Sequence, residues 1–216
     1  MKITKEASIS FQIANLIATI LVIAIHYNSK HHIDYYDLSF NFYLQEYITN
    51  GIARIAVPFF ALSAGIFFFI NYQGLSSYKT NVKKRIYSLL LPYSIASIFV
   101  FITQVLYLNY FTNTSYIYTV ESIVNDVFLH PLSVQFWFLR DLIVLVIVSP
   151  IIYFFCQRWN YWYIGLLAIL WLLNVEFMPM VAERKLITIE TLFFFSLGCF
   201  FITAKRNLIG RFFNRK

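Results

Sequence analysis

Apolar residues run along the 216-residue chain in six long segments, which are separated by shorter polar stretches. A helix needs roughly 20 apolar residues to cross the hydrocarbon core of a bilayer, and each segment is about that long. The pattern therefore predicts six membrane-spanning helices in an all-α polytopic bundle, with a single membrane-embedded domain over residues 1–216. The predicted spans are Ser8–Tyr27, Ile48–Tyr72, Ile86–Tyr110, Val134–Cys156, Tyr161–Met180 and Leu186–Ala204.

The composition excludes a soluble globular domain. Hydrophobic residues make up 60% of the chain and charged residues only 12%, and the mean hydropathy is +0.67. Soluble domains usually carry about 25% charged residues. An integral membrane protein surrounded by membrane lipid is therefore expected.

Lysines and arginines divide unevenly between the two sides of the predicted bundle. With the N-terminus inside, twelve of the 17 fall on the cytoplasmic side and three on the other, while Arg54 and Arg140 lie within spans. Cytoplasmic loops of membrane proteins carry an excess of these residues. We therefore predict that both termini are cytoplasmic and that the protein is a multi-pass protein of the plasma membrane. The inner loops explain the net charge of +7, so no nucleic-acid partner is expected.

Ionisable residues within the spans cluster at one depth. An arginine at the centre of a membrane helix costs roughly 2.5–3.5 kcal/mol, so such residues are often functional. Arg54 is followed by Pro58, whose missing amide leaves the Arg54 carbonyl without its helical partner. Six ionisable residues fall in the predicted outer half of the membrane: His26, Arg54, Arg140, Asp141, Glu176 and Glu190. Their common depth predicts a polar site that opens toward the extracytoplasmic face.

Each of these residues also has a structural interpretation. His26 is compatible with an ordinary interfacial histidine, and Glu190 with an interfacial residue beside Lys185. Asp141 can pair with an arginine and so lower the cost of burying it. The small residues around Arg54 also suit a helix at the crowded centre of a bundle.

Motifs for metal or nucleotide binding are absent from the sequence, which has no Cys-x-x-Cys, His-Glu-x-x-His or Gly-x-Gly-x-x-Gly pattern. The two cysteines, Cys156 and Cys199, fall near the predicted cytoplasmic ends of their spans, where a disulfide is not expected. We therefore predict no metal site and no bound cofactor.

Five segments, in order along nearly the whole chain, carry a family resemblance. The segments are Asn15–His26, Arg54–Gly65, the basic stretch and Leu-Leu-Leu-Pro-Tyr motif of Lys83–Tyr93, Gln135–Pro150, and Phe193–Gly198. Together they resemble the acyltransferase-3 family, integral-membrane enzymes that move acetyl or similar groups onto extracytoplasmic glycans and related acceptors. The resemblance implies an acyl-coenzyme A donor and the hydroxyl of an extracytoplasmic glycan or lipid-linked acceptor.

The resemblance also implies roles for individual residues. His26 matches the catalytic histidine that ends the family's first span, where it would deprotonate the acceptor hydroxyl. Arg54 matches the second-span arginine and would stabilise negative charge that develops during transfer. Asn15 and Arg140 are expected to help bind the acyl donor, and Asp141 and Glu190 to orient or bind the acceptor.

Two departures from the family pattern leave other functions open. Asn15 stands where the family commonly has a donor-binding arginine, eleven residues before His26. Members also usually have about ten spans, so with six predicted spans the chain is interpreted as a fragment, a C-terminally truncated product or a short variant completed by another subunit. The alternatives to a membrane O-acyltransferase are a transporter or flippase-like component and a catalytically inactive homologue.

Overall fold

The computed structural model describes residues 4–26, 40–72, 74–112, 119–129, 131–175, 180–181, 184–185 and 187–204. These residues form a bundle of helices with one strand pair of two residues each. Among them, four helical stretches are long and apolar enough to cross a membrane, and two further apolar helices are shorter. The predicted all-α polytopic bundle is therefore confirmed. The number of spans and the side of each terminus stay predictions.

The first helix, α1, covers Lys5–His26 and has most of its surface uncovered. Of its 22 residues, all of which are described, the buried ones are Ala7 and Ala18. Leu16 and Ile23 are each 62% exposed. An apolar helix with so little buried surface is suited to face lipid, and it contacts the bundle through two small residues and the ring of Phe11.

The second apolar segment is one helical stretch with irregular turns in its middle. Helix α2 (Phe40–Glu46) continues through a π-helical turn (Tyr47–Gly51) and a 3₁₀ turn (Ile52–Ile55) into α3 (Ala56–Phe69). Pro58 lies in the first turn of α3, where its missing amide costs little. Helix distortions usually occur at prolines and π turns, and here both lie within a few residues of Arg54.

The third segment has the same interrupted form. Helix α4 (Leu75–Arg85) passes through a π turn (Ile86–Leu90) into α5 (Leu91–Tyr107), which ends in another π turn (Leu108–Thr112). A short helix that the hydropathy pattern did not predict, α6 (Val120–Val124), follows and continues as a π turn to Leu129. Its first turn is fixed by a capping box, in which Thr119 and Ser122 exchange hydrogen bonds.

The last elements are a long helix and two shorter ones. They are α7 (Trp137–Arg158, preceded by a 3₁₀ turn at Val134–Phe136), α8 (Tyr161–Leu172), the antiparallel strands β1 (Met180–Val181) and β2 (Arg184–Lys185), and α9 (Ile189–Ala204). Helix α8 has 12 residues, about 18 Å, and is shorter than the predicted span Tyr161–Met180. Asn174, just beyond it, has a φ of 50°, a left-handed conformation that ends helices.

The tightest packing in the described bundle joins α3 and α9 through two glycines. A Cβ added at Gly65 would collide with the Phe195 carbonyl, and one added at Gly198 would lie 2.6 Å from the Leu62 carbonyl oxygen. Small residues let helix backbones approach this closely in membranes. Phe68, Phe69 and Phe195 pack beside this contact, with Leu145 of α7 in the same buried cluster.

Candidate active site

A cavity of about 830 Å³ lies between α1, α3, the start of α7 and the start of α9. Because Phe11 of α1 packs against Phe67 of α3, with ring centroids 5.1 Å apart, while His26 and Arg54 line the same cavity, α1 and α3 run antiparallel. The lining follows α3 from Arg54 to Phe67, a distance of about 20 Å. The cavity is therefore elongated along the helix axes.

One end of the cavity, here called the His26 end, gathers side chains from four separate elements. His26 is the last residue of α1, Arg54 lies on the 3₁₀ turn before α3, Gln135 precedes α7, and Glu190 is the second residue of α9. Arg54 and Glu190 bring opposite charges to the lining of this end. His26 and Arg54 are exposed and Glu190 is partly exposed, and all three line the cavity.

The structure thus brings together His26, Arg54 and Glu190, three residues that the sequence singled out. The imidazole of His26 can accept a proton from a hydroxyl group placed in this end of the cavity. A guanidinium beside it can stabilise an oxyanion. The Glu190 carboxylate can accept hydrogen bonds from hydroxyl groups. This combination can support proton abstraction coupled to transfer at a carbonyl.

Arg54 is held by side chains one and two turns earlier on its own helical stretch. Its Nη2 donates to Asn50 Oδ1 at 3.1 Å, and Asn50 Nδ2 donates in turn to a Glu46 carboxylate oxygen. The three residues are spaced by four, so they lie along one helix face. Sequence reasoning missed Glu46 and Asn50, although this spacing was a usable signal. Glu46 lies before the predicted span, which began at Ile48, and Asn50 carries no charge.

The middle of the cavity is apolar. Val22 of α1, Val57 and Phe60 of α3, and Phe138 and Leu142 of α7 contribute to its walls. Ligand sites typically combine such apolar walls with a few placed polar groups. The walls suit a short hydrocarbon or acyl chain more than a charged group.

The opposite end, here called the Arg85 end, is cationic. Arg85 ends α4 and lines the main cavity together with Leu89 and Phe67. It also lines a second cavity of about 270 Å³, whose polar lining residues are Asn71, Asn81, Lys84 and Ser88. Asn81 Nδ2 has no hydrogen-bond partner among the described residues, so a donor is available there. Sequence reasoning noted the Lys83–Arg85 run only as a basic inner loop.

Arg140 and Asp141 lie elsewhere, inside a buried hydrogen-bonded cluster. Arg140 is 8% exposed and Asp141 is fully buried. Arg140 Nη1 donates to the Leu129 carbonyl at 2.8 Å, and Nη2 donates to Asp141 Oδ1 at 3.1 Å. A buried ion pair that also bonds to a backbone carbonyl is suited to fixing the structure locally.

The other Asp141 oxygen joins α7 to the start of α9. Asp141 Oδ2 accepts from the Thr188 amide at 2.9 Å, from Thr188 Oγ1 at 3.1 Å and from Thr191 Oγ1 at 3.0 Å. Thr188 also caps α9, since its hydroxyl accepts from the Thr191 amide at 3.3 Å. Glu190 lies between these two threonines, so the cluster fixes the helical turn that carries it.

Asn15 also lies apart from the described cavity lining. It is three turns from His26 on α1, about 16 Å away, and its carbonyl accepts a hydrogen bond from Thr19 Oγ1 at 2.8 Å. Thr19 itself lines the cavity. The predicted contacts of Asn15 and Arg140 with an acyl donor stay predictions.

The comparisons with known proteins identify the class. An integral bundle of apolar helices encloses a cavity with a histidine and an arginine at one end. A family model of acyltransferase-3, described as an acyltransferase domain, matches residues 10–215, and the chain therefore belongs to the acyltransferase-3 family. No curated protein and no solved structure was found to match it.

Proposed function

We propose that this membrane acyltransferase transfers an acetyl or similar group from a coenzyme A thioester to a hydroxyl group of an extracytoplasmic glycan or lipid-linked acceptor. The observation that carries the proposal is the asymmetry of the cavity. His26, Arg54 and Glu190 lie at one end, apolar walls form its middle, and Arg85 lies at the other end. The phosphate groups of the donor match the Arg85 end, the arm that links them to the thioester passes through the middle, and the thioester and the hydroxyl acceptor meet at the His26 end.

The Arg85 end suits the phosphate groups of the donor. Lys84 and Arg85 supply cations and Asn81 supplies a donor amide around the smaller cavity, which shares Arg85 with the main one. Guanidinium groups bind phosphates through paired hydrogen bonds. By the distribution of basic residues this end is cytoplasmic, where coenzyme A thioesters are made available, and the His26 end faces outward across a plasma membrane.

The chemistry at the His26 end follows from its side chains. The acceptor oxygen attacks the thioester carbonyl carbon while the His26 imidazole takes the hydroxyl proton. Negative charge on the carbonyl oxygen is stabilised by the Arg54 guanidinium. The carbon–sulfur bond then breaks, and the departing thiolate takes the proton from His26. Glu190 orients the acceptor by accepting a hydrogen bond from a second hydroxyl.

Arg140 and Asp141 support this site from a distance. Their contacts with Leu129, Thr188 and Thr191 favour the structural interpretation of this pair over direct donor or acceptor binding. In this proposal they fix the start of α9 so that Glu190 faces the cavity. Membrane lipid contacts the exposed apolar surfaces, such as that of α1.

The experiment that tests the proposal is transfer of label from acetyl-coenzyme A into envelope glycans of cells that express the chain. His26→Ala is compared at equal membrane abundance, and Gln157→Ala, an exposed residue outside the cavity lining, is the matched control. Label that depends on His26 and survives Gln157→Ala supports the proposal. Uptake of an anion without a covalent product would favour the transporter alternative, and neither activity would favour an inactive homologue.

The donor end has its own test. Arg85→Ala is expected to raise the KM for the acyl donor roughly tenfold and to change kcat little, because it removes uniform binding energy. Lys83→Ala is the control, since Lys83 belongs to the same basic run but is not among the described lining residues of either cavity. An unchanged donor KM in Arg85→Ala would contradict this assignment of the Arg85 end.

A further inference from the structure

Arg54 is exposed, yet its guanidinium has a specific side-chain contact. Among the described residues, the guanidinium is linked to the Glu46 carboxylate through the side-chain amide of Asn50, with 3.1 Å between Arg54 Nη2 and Asn50 Oδ1. A carboxylate accepts hydrogen bonds and cannot donate them, so Glu46 fixes which way the amide points. Asn50 Nδ2 faces Glu46, and Asn50 Oδ1 therefore faces the guanidinium.

We propose that Asn50 is a positioning residue, whose amide holds the Arg54 guanidinium at the cavity while keeping the Glu46 carboxylate from pairing with it directly. This inference rests on the proposed function, in which Arg54 stabilises the oxyanion. A direct arginine–carboxylate pair is commonly bidentate and would occupy two donors as well as neutralise the cation. The contact with Asn50 engages one of the five guanidinium N–H donors and adds no charge.

The backbone between these residues explains why such a tether is useful. Glu46 ends α2, Asn50 lies in the π turn, and Arg54 lies in the 3₁₀ turn. π turns are rare and are found frequently at functional sites. Helix geometry changes twice within these nine residues, from α to π to 3₁₀. Two successive side-chain hydrogen bonds fix the direction of Arg54 across the irregular turns.

A double-mutant cycle on turnover tests this role. Asn50→Ala is expected to lower kcat roughly threefold to tenfold, because Arg54 is misplaced but keeps its guanidinium. The acyl-donor KM should change less than about twofold, because the Arg85 end is untouched. In an Arg54→Ala background, Asn50→Ala should have no further effect, because Asn50 acts through Arg54.

Asn50→Asp separates positioning from packing. It is nearly isosteric with asparagine, yet its carboxylate would pair directly with Arg54, so kcat should fall further than in Asn50→Ala. Asn41→Ala is the matched control, because Asn41 lies on α2 and bonds to Gln45 rather than to Arg54. Wild-type kcat in both Asn50 variants, or equal losses from Asn50→Ala with and without Arg54, would overturn the proposal.

A second measurement needs no acyl transfer. The apparent melting temperature is measured for the purified wild type, Asn50→Ala, Arg54→Ala and the double variant. The sum of the two single-variant decreases should exceed the decrease in the double variant by about 2–4 °C, because each single variant already removes the contact between the two side chains. Strictly additive shifts would overturn the tether itself. A wild type that transfers no acyl group would contradict the proposed function, and the melting cycle would still decide whether Asn50 holds Arg54.

Discussion

The chain places two groups of ionisable residues within its apolar bundle, and the groups differ in where their hydrogen bonds go. Asp141 is fully buried, and its two carboxylate oxygens accept hydrogen bonds from Arg140, Thr188 and Thr191. His26 and Arg54 face a cavity of about 830 Å³. A charge satisfied by the protein stabilises the fold, whereas a charge that faces a cavity can act on a ligand. Ionisable residues at similar depth therefore have different roles, and the contacts of each residue indicate its role.

The largest effect is expected from His26→Ala. Loss of a general base lowers turnover roughly 10²–10⁴-fold. The melting temperature should stay within about 2 °C of the wild type, because His26 is exposed at the end of α1. The check is steady-state acyl transfer beside thermal unfolding of the same preparation. A large loss of stability would place His26 with the structural group and break the comparison.

Asp141→Ala is expected to lower the stability of the protein, rather than the turnover of the folded molecule. Removing one partner of a buried ion pair costs about 3–5 kcal/mol, because Arg140 is left as an uncompensated buried charge. Membrane abundance and melting temperature should fall sharply. Asp141→Asn, which keeps an acceptor toward Thr188 and Thr191, should lose less. Normal stability of Asp141→Ala, with activity alone abolished, would instead assign Asp141 to the chemistry.

A smaller structural effect is expected from Gly198→Ala. The added methyl group would lie 2.6 Å from the Leu62 carbonyl oxygen, so α3 and α9 must separate. Overpacking of this kind costs typically about 1–3 kcal/mol. Gly165→Ala is the control, since a Cβ at Gly165 has no described atom within 4 Å. Equal melting temperatures for the two variants would contradict the close α3–α9 contact.

The smallest effect in this series is expected from Arg54→Lys. Lysine keeps the charge but lacks the planar guanidinium, which donates to Asn50 Oδ1 and faces the cavity. Turnover per folded molecule should fall about tenfold, with little change in melting temperature. Turnover at the wild-type level would show that the guanidinium shape is irrelevant and would sink the role given to Arg54.

The sequence predicted the elements of this bundle better than their ends. Long apolar runs are strong signals, so α1, α3, α5 and α7 lie where spans were expected. Helix α8 is shorter than predicted because a left-handed residue at Asn174 follows it, and hydropathy does not register backbone conformation. The π turns were equally invisible, since no composition marks them.

The site was predicted in part, for physical reasons. His26, Arg54 and Glu190 stood out because ionisable residues are conspicuous in apolar segments, and they do line one cavity. Arg85 did not stand out, because it sits in a run of basic residues that topology alone explains. Thr188 and Thr191 were missed since single threonines carry no pattern. Only the fold shows that they meet Asp141.

The glycine contact between α3 and α9 has a consequence for how the cavity admits its substrates. Because α3 and α9 are in close contact at Gly65 and Gly198, the walls that carry Arg54 and Glu190 are held together. Helix α1 is attached by far less, since Ala7 and Ala18 are its buried residues. The cavity is therefore expected to widen when α1 moves laterally into the surrounding bilayer. His26 would move with α1, while Arg54 and Glu190 would stay in place.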